Sequence, residues 1–292
     1  MIIHFLCIEK ILQIASEKNI SFWEVIIKDD MHERNVSFES SFERMTKMLD
    51  AMIEADKSYS PELRSQSGLS GGDGAKLEQF RKQETRLIGT FLTMVMEKAV
   101  KMGESNACMK RIVAAPTAGS CGVIPAVLIT YLEQKNSAKE RIVESLFVAA
   151  GIGQVIANTA SISGAEGGCQ AEIGSASSMA AGAITYLEGG TNEQIANAAA
   201  LAMKNMLGLT CDPVAGLVEV PCIKRNVSGA VNAIIASQMT MAGIKSAIPA
   251  DEVFESMGRI GSLLPSCLRE TSGDGLATTP TAQAVVEKIR GE

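Results

Sequence analysis

Aromatic side chains are scarce in this 292-residue chain: one Trp, three Tyr and eight Phe, 4% in all. Ala, Gly, Ser and fifteen Met are plentiful instead, so helices can approach closely and flexible thioethers can fill irregular gaps. Basic charge is not in excess. A net charge of −6 offers no footprint for nucleic acid, and no polybasic segment suits an anionic membrane. Histidine is almost missing: His4 and His32 stand far from most of the seven cysteines, which gives a Cys/His zinc site little support. Long apolar runs are missing too. The most membrane-like stretch, Ala230 to Ala250, is interrupted by Asn232, Gln238 and Lys245. It falls short of roughly 18 continuous apolar residues, and a buried core helix is the expectation. The apolar start Met1–Ile8 is broken by Glu9 and Lys10, with no basic region before it and no small-residue cleavage site after it, so no signal peptide is expected. The cysteines sit in an ordinary cytoplasmic composition, 46% apolar and 21% charged, and are expected to be reduced thiols.

Alternating β-branched runs are nearly absent as well. Arg111–Val113 and Gly216–Val220 are the only short strand candidates. Helical spacing dominates. Phe42, Met45, Met48, Leu49, Met52 and Ile53 form one stripe, and Leu77, Phe80, Leu87, Ile88, Phe91, Val95 and Val100 form a long second one ending at Gly103. Ser137-Ala138-Lys139-Glu140 and Thr191-Asn192-Glu193-Gln194 read as capping boxes, with Gly208 closing the helix that follows the second. Pro249-Ala250-Asp251 opens a further short segment. The expected fold is mainly α: a compact helical catalytic domain with functional loops between helices and little or no sheet. A charged helical region spans residues 1–66, a polar break runs from Ser58 to Gly74, and residues 67–292 form the catalytic domain, the two packed as one unit.

Three cysteines sit at bend-forming sequences: Gly167-Gly168-Cys169, Thr210-Cys211-Asp212-Pro213 and Val220-Pro221-Cys222. Such a trio is either three small buried hydrophobes or a soft-ligand set for a metal or iron–sulfur cluster with one position left open. No two of them have zinc-ribbon spacing. Cys7 and Cys108 read as plain thiols, and nothing distinctive surrounds Cys267. Two loops invite a small anionic or zwitterionic ligand. Ser70, Gly71, Gly72 and Asp73 offer backbone N–H groups, a hydroxyl and a helix N-terminus, which suit a carboxylate or simply make a capped turn. Thr117, Ala118, Gly119 and Ser120, just before Cys121, can hold a carboxylate or ammonium or simply start a helix. Neither glycine loop matches a nucleotide fingerprint. The first lacks the Gly-Lys-Ser/Thr end of a P-loop, and Gly151-Ile152-Gly153 lacks the third glycine of a dinucleotide site. Asn158, Ser161 and Ser163 lead into Cys169 and can order a cluster through hydrogen bonds to sulfur.

Taken in order, these segments resemble a known family. Ser67–Asp73, Pro116–Ser120, Gly167–Ala176, Gly208–Val214, Val220–Asn226 and the tail Leu268–Thr281 are similar to the α chain of the bacterial iron–sulfur-dependent L-serine dehydratases, over nearly the whole chain. The resemblance implies a largely helical catalytic domain and a [4Fe–4S] cluster held by Cys169, Cys211 and Cys222. It also implies deamination of L-serine to pyruvate and ammonia. Single-chain relatives carry a Ser-Ser-His-Thr motif in a second domain, and some end in a cysteine that caps the open iron. This chain has no such motif, so a separate β chain is the expected partner, and it ends Arg290-Gly291-Glu292 without the capping cysteine. Such an enzyme removes the α-proton and β-hydroxide to give 2-aminoacrylate, which hydrolyses to pyruvate. No lysine has the setting of a pyridoxal phosphate site, and the proton-removing base is expected to be a histidine of the β chain. Two other readings stay open: a lyase that removes sulfide from L-cysteine, and a non-catalytic cluster-binding subunit that senses iron or oxygen.

Overall fold

The protein is described from a computed structural model, which covers residues 7–83 and 87–291. His4 and the apolar run before Cys7 lie outside the described residues. The mainly α expectation is borne out: thirteen α-helices carry the described residues, and no β-strand forms among them. An isolated parallel bridge joins Cys211 to Arg269. Three helices open the chain, α1 (Ile8–Lys18), α2 (Phe22–Glu33) and α3 (Phe38–Lys57). After the polar break come α4 (Asp73–Arg81), α5 (Thr90–Ala107), α6 (Val123–Lys135) and α7 (Lys139–Thr159). The short α8 (Gly164–Gly167) leads through Cys169 and a π-helical turn, Gln170–Gly174, into α9 (Ser175–Leu187). Next are α10 (Asn192–Lys204), α11 (Cys222–Met241), α12 (Ala250–Leu263) and α13 (Pro280–Arg290).

The centre of the fold is α9, every residue of which is buried. It packs against α6, α7, α10 and α11, and its Ser-Ala-Ser-Ser-Met-Ala-Ala-Gly sequence is what makes that crowding possible. A methyl group added at Gly182 would lie 2.2 Å from the Ile152 side chain of α7. Hydroxyls buried at this depth ordinarily find partners, and apart from Ser175, which has none, the Ser and Thr hydroxyls of α9 do. Ser177 donates to the Gly229 carbonyl at 2.8 Å, Ser178 to the Ala199 carbonyl at 2.9 Å, and Thr185 to the Ala181 carbonyl at 2.7 Å. Each such bond is worth about 1 kcal/mol net, and each pins α9 to a neighbour or to its own preceding turn. The first three helices join the same core. Phe22 and Ile26 of α2 sit against Gly151 of α7, and Phe42 of α3 stacks on Phe147 at 6.3 Å. One helix, Lys139–Thr159, is long and apolar enough to cross a membrane by length and composition. Two-thirds of its apolar window, 67%, is buried against the rest of the chain, as for a core helix.

Several boundaries differ from the sequence expectation, each for a local reason. The long stripe from Leu77 to Gly103 is two helices, since the turn at Lys82-Gln83 and the N-cap at Gly89 interrupt it. Thr191 and Gln194 form the expected reciprocal capping box, whereas Ser137 makes none: α7 begins one residue later, with Ala138 at its N-cap. α10 ends at Lys204, and Gly208 closes a following turn at φ 84° instead. The Ala230–Ala250 run is helical only to Met241, after which Ile244 and Ile248 are exposed. Neither strand candidate forms, because neither finds a partner strand among the described residues.

Candidate functional site

Cys169, Cys211 and Cys222 come from three separate segments and are all buried, at 2%, 2% and 6% exposure. Cys169 lies between α8 and the π-helical turn, Cys211 in the bridge to Arg269, and Cys222 at the first position of α11. Burial pushes the Cys169 thiol up to about 11 and Cys222 up to about 12. Cys211 is raised by burial first, then by Cys169, Glu172, Cys222 and Glu270. The three sulfurs therefore share one neighbourhood and feel one another's charge. Among the described residues, no three Cys, His, Asp or Glu side chains gather closely enough to hold a single metal ion. Three buried thiols in one neighbourhood are a donor set whose chemistry fits a thiolate-held iron–sulfur cluster. Their raised proton affinity means that ligation must displace protons.

The Gly-Gly-Cys-Gln-Ala-Glu segment shapes this place. Gly167 lets α12 approach so closely that a methyl group at Gly261 would lie 2.7 Å from its Cα, and Gly168 turns at φ 74°. The fully buried Gln170 donates to the carbonyls of Gly167 (2.9 Å) and Met257 (3.2 Å) and accepts from the Gly208 N–H (2.9 Å). It thereby ties α8, α12 and the segment before Cys211 together. The π-helical turn then carries Glu172 to the Thr117 loop, where Thr117 Oγ1 donates to its Oε1 at 2.7 Å. Burial raises the proton affinity of Glu172, and nearby Glu270 raises it further. Beside Cys169 stands Arg225, which donates to the Thr210 carbonyl at 2.7 Å and pairs with the buried Asp212 at 2.9 Å. Asp212 in turn accepts the Leu276 N–H at 2.8 Å, so the thiols, Arg225 and the C-terminal segment form one network.

The Thr117 loop belongs to this place. Asn226, 1% exposed, donates to the carbonyls of Gly119 (2.8 Å) and Cys222 (2.9 Å) and accepts from the Gly122 N–H at 2.8 Å. Ser120 Oγ meets Thr117 Oγ1 at 3.1 Å, and a methyl group at Gly119 would lie 2.9 Å from the Glu172 carboxylate. Ala118 lies between them, its carbonyl accepting from Asn106.

The Ser70 loop is placed differently. The N–H groups of Gly71, Asp73 and Gly74 donate to the buried carboxylate of Glu104 at 3.2, 2.8 and 3.1 Å, and Tyr59 donates to it at 2.7 Å. The anion seated in this cradle is thus the chain's own Glu104. Gly72 turns at φ 84° as the N-cap of α4, and the Ser70 hydroxyl is buried without a hydrogen-bond partner. The loop leans on the Cys222 segment through Glu219, which accepts from Ser65 (2.6 Å) and Ser67 (2.9 Å), and through the Asp73–Lys224 ion pair.

Among the described residues no hydrogen bond joins Asn158, Ser161 or Ser163 to a cysteine sulfur. Asn158 is exposed near the end of α7, Ser161 accepts from the Ser163 N–H, and Ser161 lines a surface cavity of about 440 Å³ with Glu166 and Gly258. The groups that approach the sulfurs are Arg225, Glu172 and Glu270. Sequence reading singled out none of these three. The only hint was Glu172 falling three residues after Cys169 inside the same motif.

Fold and site define a class: an all-helical protein with a buried trithiol set beside a hydroxyl-lined loop and a pair of carboxylates. The chain matches the family described as serine dehydratase alpha chain over residues 17–277 and belongs to it. It is 48% identical over 284 residues to the probable L-serine dehydratase, alpha chain, of Bacillus subtilis strain 168, covering 97% of this chain and 95% of that one. With the L-serine dehydratase, alpha chain, of Peptoniphilus asaccharolyticus it shares 38% identity over 277 residues, 94% and 95% of the two chains. L-serine dehydratase TdcG of Escherichia coli strain K12 is 49% identical over 181 residues, 61% of this chain but 40% of that longer one.

Proposed function

We propose that this chain is the α subunit of a cytoplasmic L-serine dehydratase, converting L-serine to pyruvate and ammonia together with a separate β chain. The observation that carries the reading is the gathering of three buried thiols from three segments next to the Thr117 loop and Glu172. Cys169, Cys211 and Cys222 would hold a [4Fe–4S] cluster, and no pyridoxal phosphate is needed. When bound, the cluster supplies a Lewis acid for the departing β-hydroxide.

The remaining work falls to side chains. Arg225 places a fixed positive charge beside Cys169 and offsets part of the negative charge that three thiolates bring together. Thr117 would present its hydroxyl and the Thr117–Gly119 backbone to the substrate, braced by the fully buried Ser120 hydroxyl and held in register by Asn226. The orphaned Ser70 hydroxyl is a further candidate donor for the substrate carboxylate. The base that takes the α-proton is assigned to a histidine of the β chain. Among the described residues the only histidine, His32, lies near the end of α2, a helix that packs on α1, α3 and α7 rather than on the thiol segments.

The test is anaerobic co-expression with a β chain, followed by measurement of iron, cluster absorption and product. L-Serine should yield pyruvate and ammonia in equal amounts. Cys169→Ala, Cys211→Ala and Cys222→Ala should each abolish the cluster absorption. Stoichiometric zinc without iron, or full turnover by the cluster-loaded α chain alone, would refute the corresponding part. Faster pyruvate release from L-cysteine than from L-serine would replace the substrate.

A further inference from the structure

Two carboxylates converge on one point at the mouth of the thiol site. A methyl group at Gly164 would lie 2.9 Å from Glu172 Oε2, 3.2 Å from Glu270 Oε2 and 3.1 Å from Cys211 Sγ. The glycine thus leaves open a small space on which two anionic side chains and a candidate cluster ligand all face. Glu172 is fixed from behind by the Thr117 hydroxyl. Glu270 is fixed through its backbone: its N–H donates to the Cys211 carbonyl at 2.7 Å, and the Cys211 N–H donates to the Leu268 carbonyl at 2.8 Å. Those bonds hold Glu270 at φ 62°, a left-handed region that a glutamate ordinarily avoids.

Like charges gathered on a partly desolvated space repel unless a cation joins them. No lysine or arginine ion-pairs with Glu172 or Glu270 among the described residues. Arg225 is nearby but is committed to Asp212, the Thr210 carbonyl and Cys169. Resting on the L-serine reading above, we infer that Glu172 and Glu270 form the recognition pair for the α-ammonium group of the substrate. The pair sets specificity for an amino acid over a hydroxy acid of the same shape. Thr117 orients Glu172, and the absent side chain of Gly164 makes room for the ammonium.

The experiment uses the cluster-loaded α/β enzyme and two unreactive probes. α-Methyl-L-serine keeps carboxylate, hydroxyl and ammonium but has no α-proton to lose. Hydroxypivalate is the same molecule with a methyl group in place of the ammonium. Binding is read from the perturbation of cluster absorption, with iron content measured in parallel. In the parent protein α-methylserine should bind more tightly than hydroxypivalate. Glu172→Gln, and separately Glu270→Gln, should weaken α-methylserine by about tenfold or more, the scale of one charge-assisted hydrogen bond, while hydroxypivalate stays within about twofold. Equal weakening of both probes, or unchanged binding of α-methylserine with iron content intact, overturns the ammonium assignment. Should Glu172→Gln fail to fold, the exposed Glu270 gives the same comparison at lower structural risk. Absence of iron, or of binding by either probe in the parent protein, instead overturns the dehydratase reading beneath it.

Discussion

Replacing Asn226 by Asp changes one atom type and should be costly. The Asn226 amide N–H₂ donates to the carbonyls of Gly119 and Cys222, while its oxygen accepts from Gly122, all at 2.8–2.9 Å and at 1% exposure. Aspartate keeps the acceptor but turns an oxygen toward two carbonyl oxygens that cannot donate. Two hydrogen bonds are lost at about 1 kcal/mol each, and burying the new charge or its proton adds at least about 1 kcal/mol more. The expected loss is about 3 kcal/mol. For a chain of this size that corresponds to a fall of roughly 6 °C or more in Tm. Cluster-free α chain suffices for the measurement, by thermal or urea unfolding. In the assembled enzyme the same change should raise KM for L-serine, because the Thr117 loop loses its tie to the first turn of α11. A Tm within about 1 °C of the parent would refute the clamp, since no placement of these three bonds allows so small an effect.

Two further substitutions probe the walls of the site. Gly164→Ala should fold and retain iron, because Gly164 begins α8 with ordinary helical backbone, yet its methyl group would enter the space bounded by Glu172, Glu270 and Cys211; serine binding should fall by about tenfold or more, and unchanged binding would show that the substrate lies elsewhere. Glu104→Gln turns one carboxylate oxygen, which accepts two of the four donors, into an amide N–H₂; toward Gly74 and Tyr59 it leaves the Gly74 N–H facing a donor while the Tyr59 hydroxyl can turn to accept. It should destabilise the chain by about 2 kcal/mol and speed hydrogen exchange at Gly71, Asp73 and Gly74, whereas unaltered exchange would refute the cradle.

How much of this was legible in the sequence follows from the range over which each interaction acts. The helical stripes were readable because burial of a helix face repeats every few residues, as were the Thr191 capping box and the bends at the three cysteines. The Thr117 loop was legible as polar and glycine-rich, though what it touches was not. The Ser70 loop reads from sequence as N–H groups suited to a carboxylate or as a capped turn, and in the fold those N–H groups hold a carboxylate of the chain itself. Its occupant is Glu104, some thirty residues away in sequence on a different helix, and no local pattern announces that pairing. Glu270 was invisible for the same reason. It reaches the site through a backbone bridge to Cys211, and its left-handed φ cannot be read from the residue type. Asn158, Ser161 and Ser163 stand out by proximity in sequence to Cys169, but the Ser161 hydroxyl accepts locally from the Ser163 N–H and Asn158 is exposed near the end of α7.

The six residues from Gly167 to Glu172 show why the motif is so compact. A cluster ligand alone would need only a cysteine on a bend. Here the bend must also admit α12 at Gly167, lock three segments through Gln170, and within three residues of the thiol deliver a carboxylate to the far side of the same space. An ordinary α-helical turn repeats every 3.6 residues, whereas the π-helical turn over Gln170–Gly174 widens the spacing and carries a full extra residue around the axis. Such turns are rare and recur at functional sites. Shortening this one by deletion of Ala171 would rotate Glu172 away from Thr117 while leaving Cys169 in place. The geometry thus makes thiol and carboxylate placement a single structural decision, so the proposed cluster site and the proposed substrate site would be built from one turn of chain.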